Sequence, residues 1–192
     1  MEKILSVFGK KTSSQPKKDS LSPCSQGKEK LLSLRKRRNK MKTVIVSGYM
    51  NPLHTGHLSL FKAAANLGDR LVVIVNSDKQ VAMKGSTPFM DAGSRLQIVK
   101  ELRCVYDAII SIDEDGSVTE SISRIRRTYP EDEMIFANGG DRNPDNHAGS
   151  EVQYCIENDI ALAYGIGCDK TESSSRLIEN ATKNKITEWG TH

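Results

Sequence analysis

No stretch of this 192-residue chain approaches the roughly 18–20 consecutive apolar residues needed to span a bilayer. The first residues lack a secretory apolar core, because Lys3 and Ser6 interrupt it. Cysteine is scarce: Cys24, Cys104, Cys155 and Cys168 form no C-x-x-C pair and no Cys/His ligand spacing. That argues against a zinc module or a disulfide scaffold, and no metal-ligating residues are assigned. Reduced thiols in a cytoplasmic protein without a membrane partner are the expectation.

The net charge of +4 hides an uneven distribution. Residues 1–42 hold 13 Lys/Arg against 3 Asp/Glu, and residues 43–192 hold 15 against 21. The basic character therefore belongs to the leading segment and says nothing about the rest. Residues 1–40 are rich in Lys, Arg and Ser, broken by Pro16, Pro23 and Gly27, and show no sustained periodicity. Such a stretch cannot bury enough apolar surface to offset its ordering entropy, so a disordered basic tail is expected. Arg35-Lys36-Arg37-Arg38 within it is also compatible with a targeting or nucleic-acid patch.

From residue 41 the pattern changes. Short apolar runs at 43–47, 71–75, 108–112, 134–137 and 160–164 read as five buried strands. Between them, 54–67, 91–102, 118–128 and 151–158 carry helical spacing, and a last helix begins at 173. The β-α-β alternation predicts a Rossmann-like three-layer α/β/α domain over 41–192, built on a mainly parallel five-stranded sheet. In such sheets ligands bind beyond the carboxyl ends of the strands.

The residues with chemical potential fall at those ends. The first strand runs into Gly48-Tyr49-Met50-Asn51-Pro52-Leu53-His54-Thr55-Gly56-His57. Gly48 permits a sharp turn off the strand, and Pro52 holds the loop extended. His54 and His57, three apart at a helix start, share one face, and Gly56 lets a ligand approach closely. Free N–H groups and the helix dipole favour an anion there. Lys84-Gly85 lies in a loop rich in Gly, Ser, Thr and Pro; taken alone, Lys84 also reads as an ordinary solvated lysine. Asp78 and Asp141 follow strands and suit either a ligand or a turn. Ser173, Ser174 and Ser175 open a helix, as caps or as a phosphate cradle.

This constellation is similar to the H-x-G-H signature of the cytidylyltransferase-like nucleotidyltransferase superfamily, and the similarity extends over residues 42–178. Asp78, the Lys84-Gly85 pair, Arg95, Asn138-Gly139-Gly140-Asp141 and Ser173-Ser174-Ser175-Arg176-Leu177-Ile178 occur in the order of its heptose-phosphate and glycerol-3-phosphate branch. Where that branch usually has Phe-Asp before the first histidine, this chain has Met50-Asn51-Pro52, which resembles nicotinate-mononucleotide adenylyltransferases. The serine motif lacks its threonines, and Ile178 stands where many members have arginine.

The resemblance implies transfer of a nucleoside monophosphate, CMP from CTP, to a small sugar or polyol phosphate with release of pyrophosphate. It implies Mg²⁺, and a homodimer as in many relatives. His54, His57 and Lys84 would be catalytic. Gly48, Tyr49, Met50, Asn51, Gly56, Arg95, Gly139, Asp141, Ser173, Ser174 and Ser175 would bind nucleotide, and Asp78 the acceptor. Two alternatives stand beside this: an adenylyltransferase using ATP, of heptose-phosphate or mononucleotide type, and a non-catalytic nucleotide-binding protein.

Overall fold

A computed structural model describes residues 40–140, 149–167, 174 and 176–180. The expected tail therefore lies outside the described residues, as do Asp141, Ser173 and Ser175. The elements in chain order are β1 (Lys42–Gly48), α1 (Thr55–Ala65), β2 (Arg70–Val75), α2 (Asp78–Met83) and α3 (Ala92–Lys100). They continue with β3 (Asp107–Ile110), α4 (Thr119–Thr128), β4 (Glu133–Gly139), α5 (Ser150–Glu157) and β5 (Ala161–Ile166). Among the described residues no helix is long and apolar enough to cross a membrane.

All four strand pairings are parallel, in the order β3-β2-β1-β4-β5. This is the Rossmann-like α/β fold the sequence predicts. The continuous apolar runs have a physical reason: both faces of the sheet are covered. Val44 and Val46 of β1, with Leu71, Val73 and Val75 of β2, pack beneath Phe61 and Ala64 of α1 and Val99 of α3. Ile45, Val72 and Ile74 point the other way, against Ile122 and Ile125 of α4 and Cys155 of α5. Alternate residues of one strand thus feed two cores.

The chain builds β1, β2 and β3 outward in one direction, then returns to place β4 on the other flank of β1. The strand order reverses between β1 and β4, whose carboxyl ends at Gly48 and Gly139 are where sheets of this kind bind ligands. Gly68, which precedes β2, is fixed by space: a Cβ there would lie 2.7 Å from the Lys42 carbonyl oxygen and from Val44 Cγ2.

One element escapes the sequence reading. Helix α2 is six residues long, too short for a periodic signature. Its signal is the cap, since Ser77 accepts from the Gln80 amide while the Gln80 side chain accepts from the Ser77 amide. Its other end opens the expected Lys84-Gly85 loop. Lys84 is the C-cap, and Gly85 follows with φ of 74°. The Gly85 and Ser86 amides bond back to the Ala82 and Val81 carbonyls, which is the glycine-dependent helix terminus.

Candidate active site

The histidine pair is built into the start of α1. His54 is the N-cap in extended conformation, and its Nδ1 accepts the Gly56 amide at 3.1 Å. His57, three residues on, accepts the His54 amide at its own Nδ1, at 3.3 Å. The two rings therefore form a reciprocal capping box, a task usually given to Ser/Thr and Glu/Gln. Their centroids lie 4.0 Å apart, and both side chains are half-buried. A ring whose Nδ1 accepts an N–H carries its proton on Nε2. The backbone thus fixes both tautomers, each with an Nε2–H donor, at the positive end of a helix.

The β1–α1 loop differs from the expectation in two details. Gly48 does not adopt a left-handed backbone; the constraint is space, since a Cβ would come 3.3 Å from Met50 Sδ and Cε. Met50 is the residue with positive φ, 45°, and its side chain is buried in the core. A non-glycine residue held there stores strain that its packing must offset. The Asn51–Pro52 bond is cis. Tyr49, half-buried, lies under the Lys84 ammonium, which sits 4.5 Å from the ring centroid.

Arg95 on α3 is fully buried, with a side chain that is 0% exposed. Its Nη1 donates to the Tyr49 carbonyl at 2.5 Å and the Asn76 carbonyl at 2.8 Å. Its Nε donates to the Met90 carbonyl at 3.1 Å, and Nη2 to Asp78 Oδ1 at 2.5 Å. One guanidinium thus ties the loops after β1 and β2 to the start of α3. Asp78 Oδ2 also accepts the Ala92 amide at 3.1 Å, at the first turn of α3. Asp91, the N-cap of α3, is held below the usual aspartate range by the Ser94 hydroxyl and amide that donate to it.

Two buried residues that sequence reasoning missed extend this scaffold. Asn76 at the end of β2 donates to Gln80 Oε1 at 2.9 Å. Gln80 Nε2 then donates to the Asp115 and Ser117 carbonyls, at 2.8 and 2.6 Å. The Ser77-x-x-Gln80 spacing was the available signal for the second of them. On the other flank, the Ser174 hydroxyl donates to the Pro52 carbonyl at 2.9 Å, which brings that residue to the β1–α1 loop. Gly139 ends β4 with only ordinary contact from Leu60 above it, 3.6 Å from a Cβ position.

The residues assembled around the end of β1 are therefore His54, His57, Tyr49, Lys84 and Ser174, resting on Asn51, Asp78 and Arg95. A family model described as "Cytidylyltransferase-like" matches residues 45–158, which span this arrangement. The chain belongs to the cytidylyltransferase-like family. Members similar to it include the bifunctional protein HldE of Cronobacter sakazakii, 33% identical over 80% of this chain and 31% of that protein. The HldE of Actinobacillus succinogenes is 35% identical over 72% of this chain and 27% of the relative. The chain thus spans less than a third of the length of these curated relatives. The crystal structure of the lipopolysaccharide core biosynthesis protein from Thermoplasma volcanium GSS1 aligns with a TM-score of 0.55 at 27% identity. It covers 67% of this chain and 99% of that one.

Proposed function

We propose that this cytidylyltransferase-like chain is a nucleotidyltransferase that moves a nucleoside monophosphate, CMP from CTP, onto a small sugar or polyol phosphate. The observation that carries the reading is the reciprocal histidine cap, which ties Nδ1 of both rings to backbone amides at a helix N-terminus that follows β1, the strand at the sheet's switch point. In an in-line displacement an acceptor phosphate oxygen attacks the α-phosphorus and pyrophosphate leaves. The protein's part is positioning and charge stabilisation. His54 and His57 hold the α/β-phosphates, and Lys84 balances charge developing on the leaving pyrophosphate. Gly56 and Gly139 leave room for the nucleotide, and Gly48 contributes by letting Met50 pack beneath the loop. Asp141, Ser173 and Ser175, outside the described residues, retain their assignment from sequence alone.

Geometry refines two roles. Arg95, buried with its bonds committed to loop carbonyls and Asp78, acts by positioning. Asp78, 42% exposed at its side chain, retains lone pairs for an acceptor hydroxyl. Mg²⁺ enters as the metal of the NTP complex, where phosphate oxygens supply ligands. No three His, Cys, Asp or Glu side chains converge on a metal position among the described residues. The adenylyl reading has its own support in the similarity to HldE proteins, whose heptose-phosphate branch the sequence resembles.

The test is pyrophosphate release with CTP and ATP, each against a panel of sugar and polyol phosphates. Faster release with CTP supports the cytidylyl reading, and faster release with ATP replaces it with the adenylyl one. His57→Ala should remain folded, bind nucleotide, and turn over about a hundredfold more slowly with the best pair. His57→Asn keeps an amide acceptor for the cap and a neutral donor, and should recover part of the rate. Near-normal turnover in folded His57→Ala would refute the assignment.

A further inference from the structure

Asn51 stands where the branch this chain resembles usually carries aspartate, and its surroundings ask for an amide. It is 4% exposed. Its Nδ2 donates to the Thr87 carbonyl at 2.9 Å, and its Oδ1 accepts the Phe89 amide at 2.5 Å. The carbonyl of one residue and the N–H two residues on point to the same side of an extended chain, as a neighbouring strand would meet them. An amide, with one donor and one acceptor, satisfies both; a carboxylate accepts but does not donate.

The stretch so gripped joins Lys84 to α3. It has little else to hold it: Lys84, Gly85, Thr87 and Phe89 are exposed, and the side chains of Met83 and Phe89, 52% and 64% exposed, contribute little to the core. At one end Gly85 closes α2, and at the other Arg95 takes the Met90 carbonyl. Asn51 grips the middle, from the same loop that leads into His54.

We propose that Asn51 is a positioning residue that latches the 84–90 segment to the histidine loop and so holds Lys84 over the site, rather than a group that reads the nucleotide. The Asn51-Pro52 pair is then no evidence about the base, because the amide is buried and both its polar atoms already bond backbone. This rests on the proposed catalytic role of Lys84.

The experiment is a double-mutant cycle between Asn51→Asp and Lys84→Ala, read as kcat and KM for both substrates, with hydrogen exchange at the Phe89 amide in Asn51→Ala. Asn51→Asp should lower kcat about tenfold with a smaller change in nucleotide KM, since misplacement of a charge-stabilising group falls on the transition state. In the Lys84→Ala background the same change should cost less than about twofold. Asn51→Ala should speed Phe89 exchange at least about tenfold, the local opening a lost latch allows. Independent, multiplicative losses in kcat overturn the latch while leaving Lys84 in its role. Unchanged kcat in Asn51→Asp, or unchanged exchange in Asn51→Ala, overturns it too. Normal turnover in Lys84→Ala removes Lys84 from the chemistry and this proposal with it.

Discussion

Replacing Arg95 by Met keeps much of the side chain's length and removes the guanidinium. Four hydrogen bonds disappear, to the carbonyls of Tyr49, Asn76 and Met90 and to Asp78. Bonds from a charged donor contribute about 1.5–3 kcal/mol each, so a simple sum would run to roughly 6–12 kcal/mol. That sum is too large. The buried cation lost several kcal/mol of hydration on folding, and its removal returns that cost. The Asp78 side chain is 42% exposed and rehydrates when its partner goes. Breaking a buried charged cluster from one side costs about 3–5 kcal/mol, and the exposure of Asp78 places this case at the lower end. In a protein of this size that lowers Tm by about 10 °C. Arg95→Lys keeps the charge but not the planar fork, and should lose about half as much. Urea unfolding followed by circular dichroism measures both, at constant m-value. A loss below about 1 kcal/mol in Arg95→Met would show that the guanidinium's bonds barely exceed its desolvation cost.

Two further outcomes are expected. Gly68→Ala should destabilise by about 2–3 kcal/mol, because its Cβ meets the Lys42 carbonyl oxygen at 2.7 Å and backbone must yield. Gly116→Ala, with nothing within 4 Å, is the control, and equal losses by urea denaturation would contradict the close approach. Burial, aided by the Glu151 carboxylate, pushes the Cys155 thiol from 9.0 up to about 12. The folded state therefore keeps a proton that the unfolded chain releases. The stability Cys155 contributes is complete below pH 9 and declines as pH rises from there towards 12. Iodoacetamide at pH 8 should modify it only after denaturation, and labelling of native protein at a free-thiol rate would refute its burial.

The central strands were legible because a sheet covered on both sides favours apolar residues at successive positions, as at residues 71–75, and such runs stand out from their flanks. The histidine pair was legible for a related reason, since its spacing is local and follows a strand. What could not be read was convergence. Arg95 carries no local sign that Tyr49, Asn76, Met90 and Asp78 will surround it, because those partners meet only once β1, β2 and α3 have packed. The partners of Asn51 were hidden in the same way: its motif is local, but they lie 36 and 38 residues away. Helix α2 fell between the two cases, short enough to lack a period yet marked at Ser77 and Gln80 by its cap.

The backbone amides that grip His54 and His57 also limit what these rings can do. In a proton relay, an imidazole receives at one nitrogen and hands on from the other, usually to a carboxylate behind it. Here the rear nitrogen of each ring faces an amide hydrogen, at Gly56 and at His54 itself, and an N–H offers no place to pass a proton. Shuttling would first have to break the cap that starts the helix. In the proposed role the pair would lend hydrogen bonds and take them back unchanged. A transfer step run this way moves no proton through the imidazoles, and changing the solvent to heavy water should leave its rate nearly as it was.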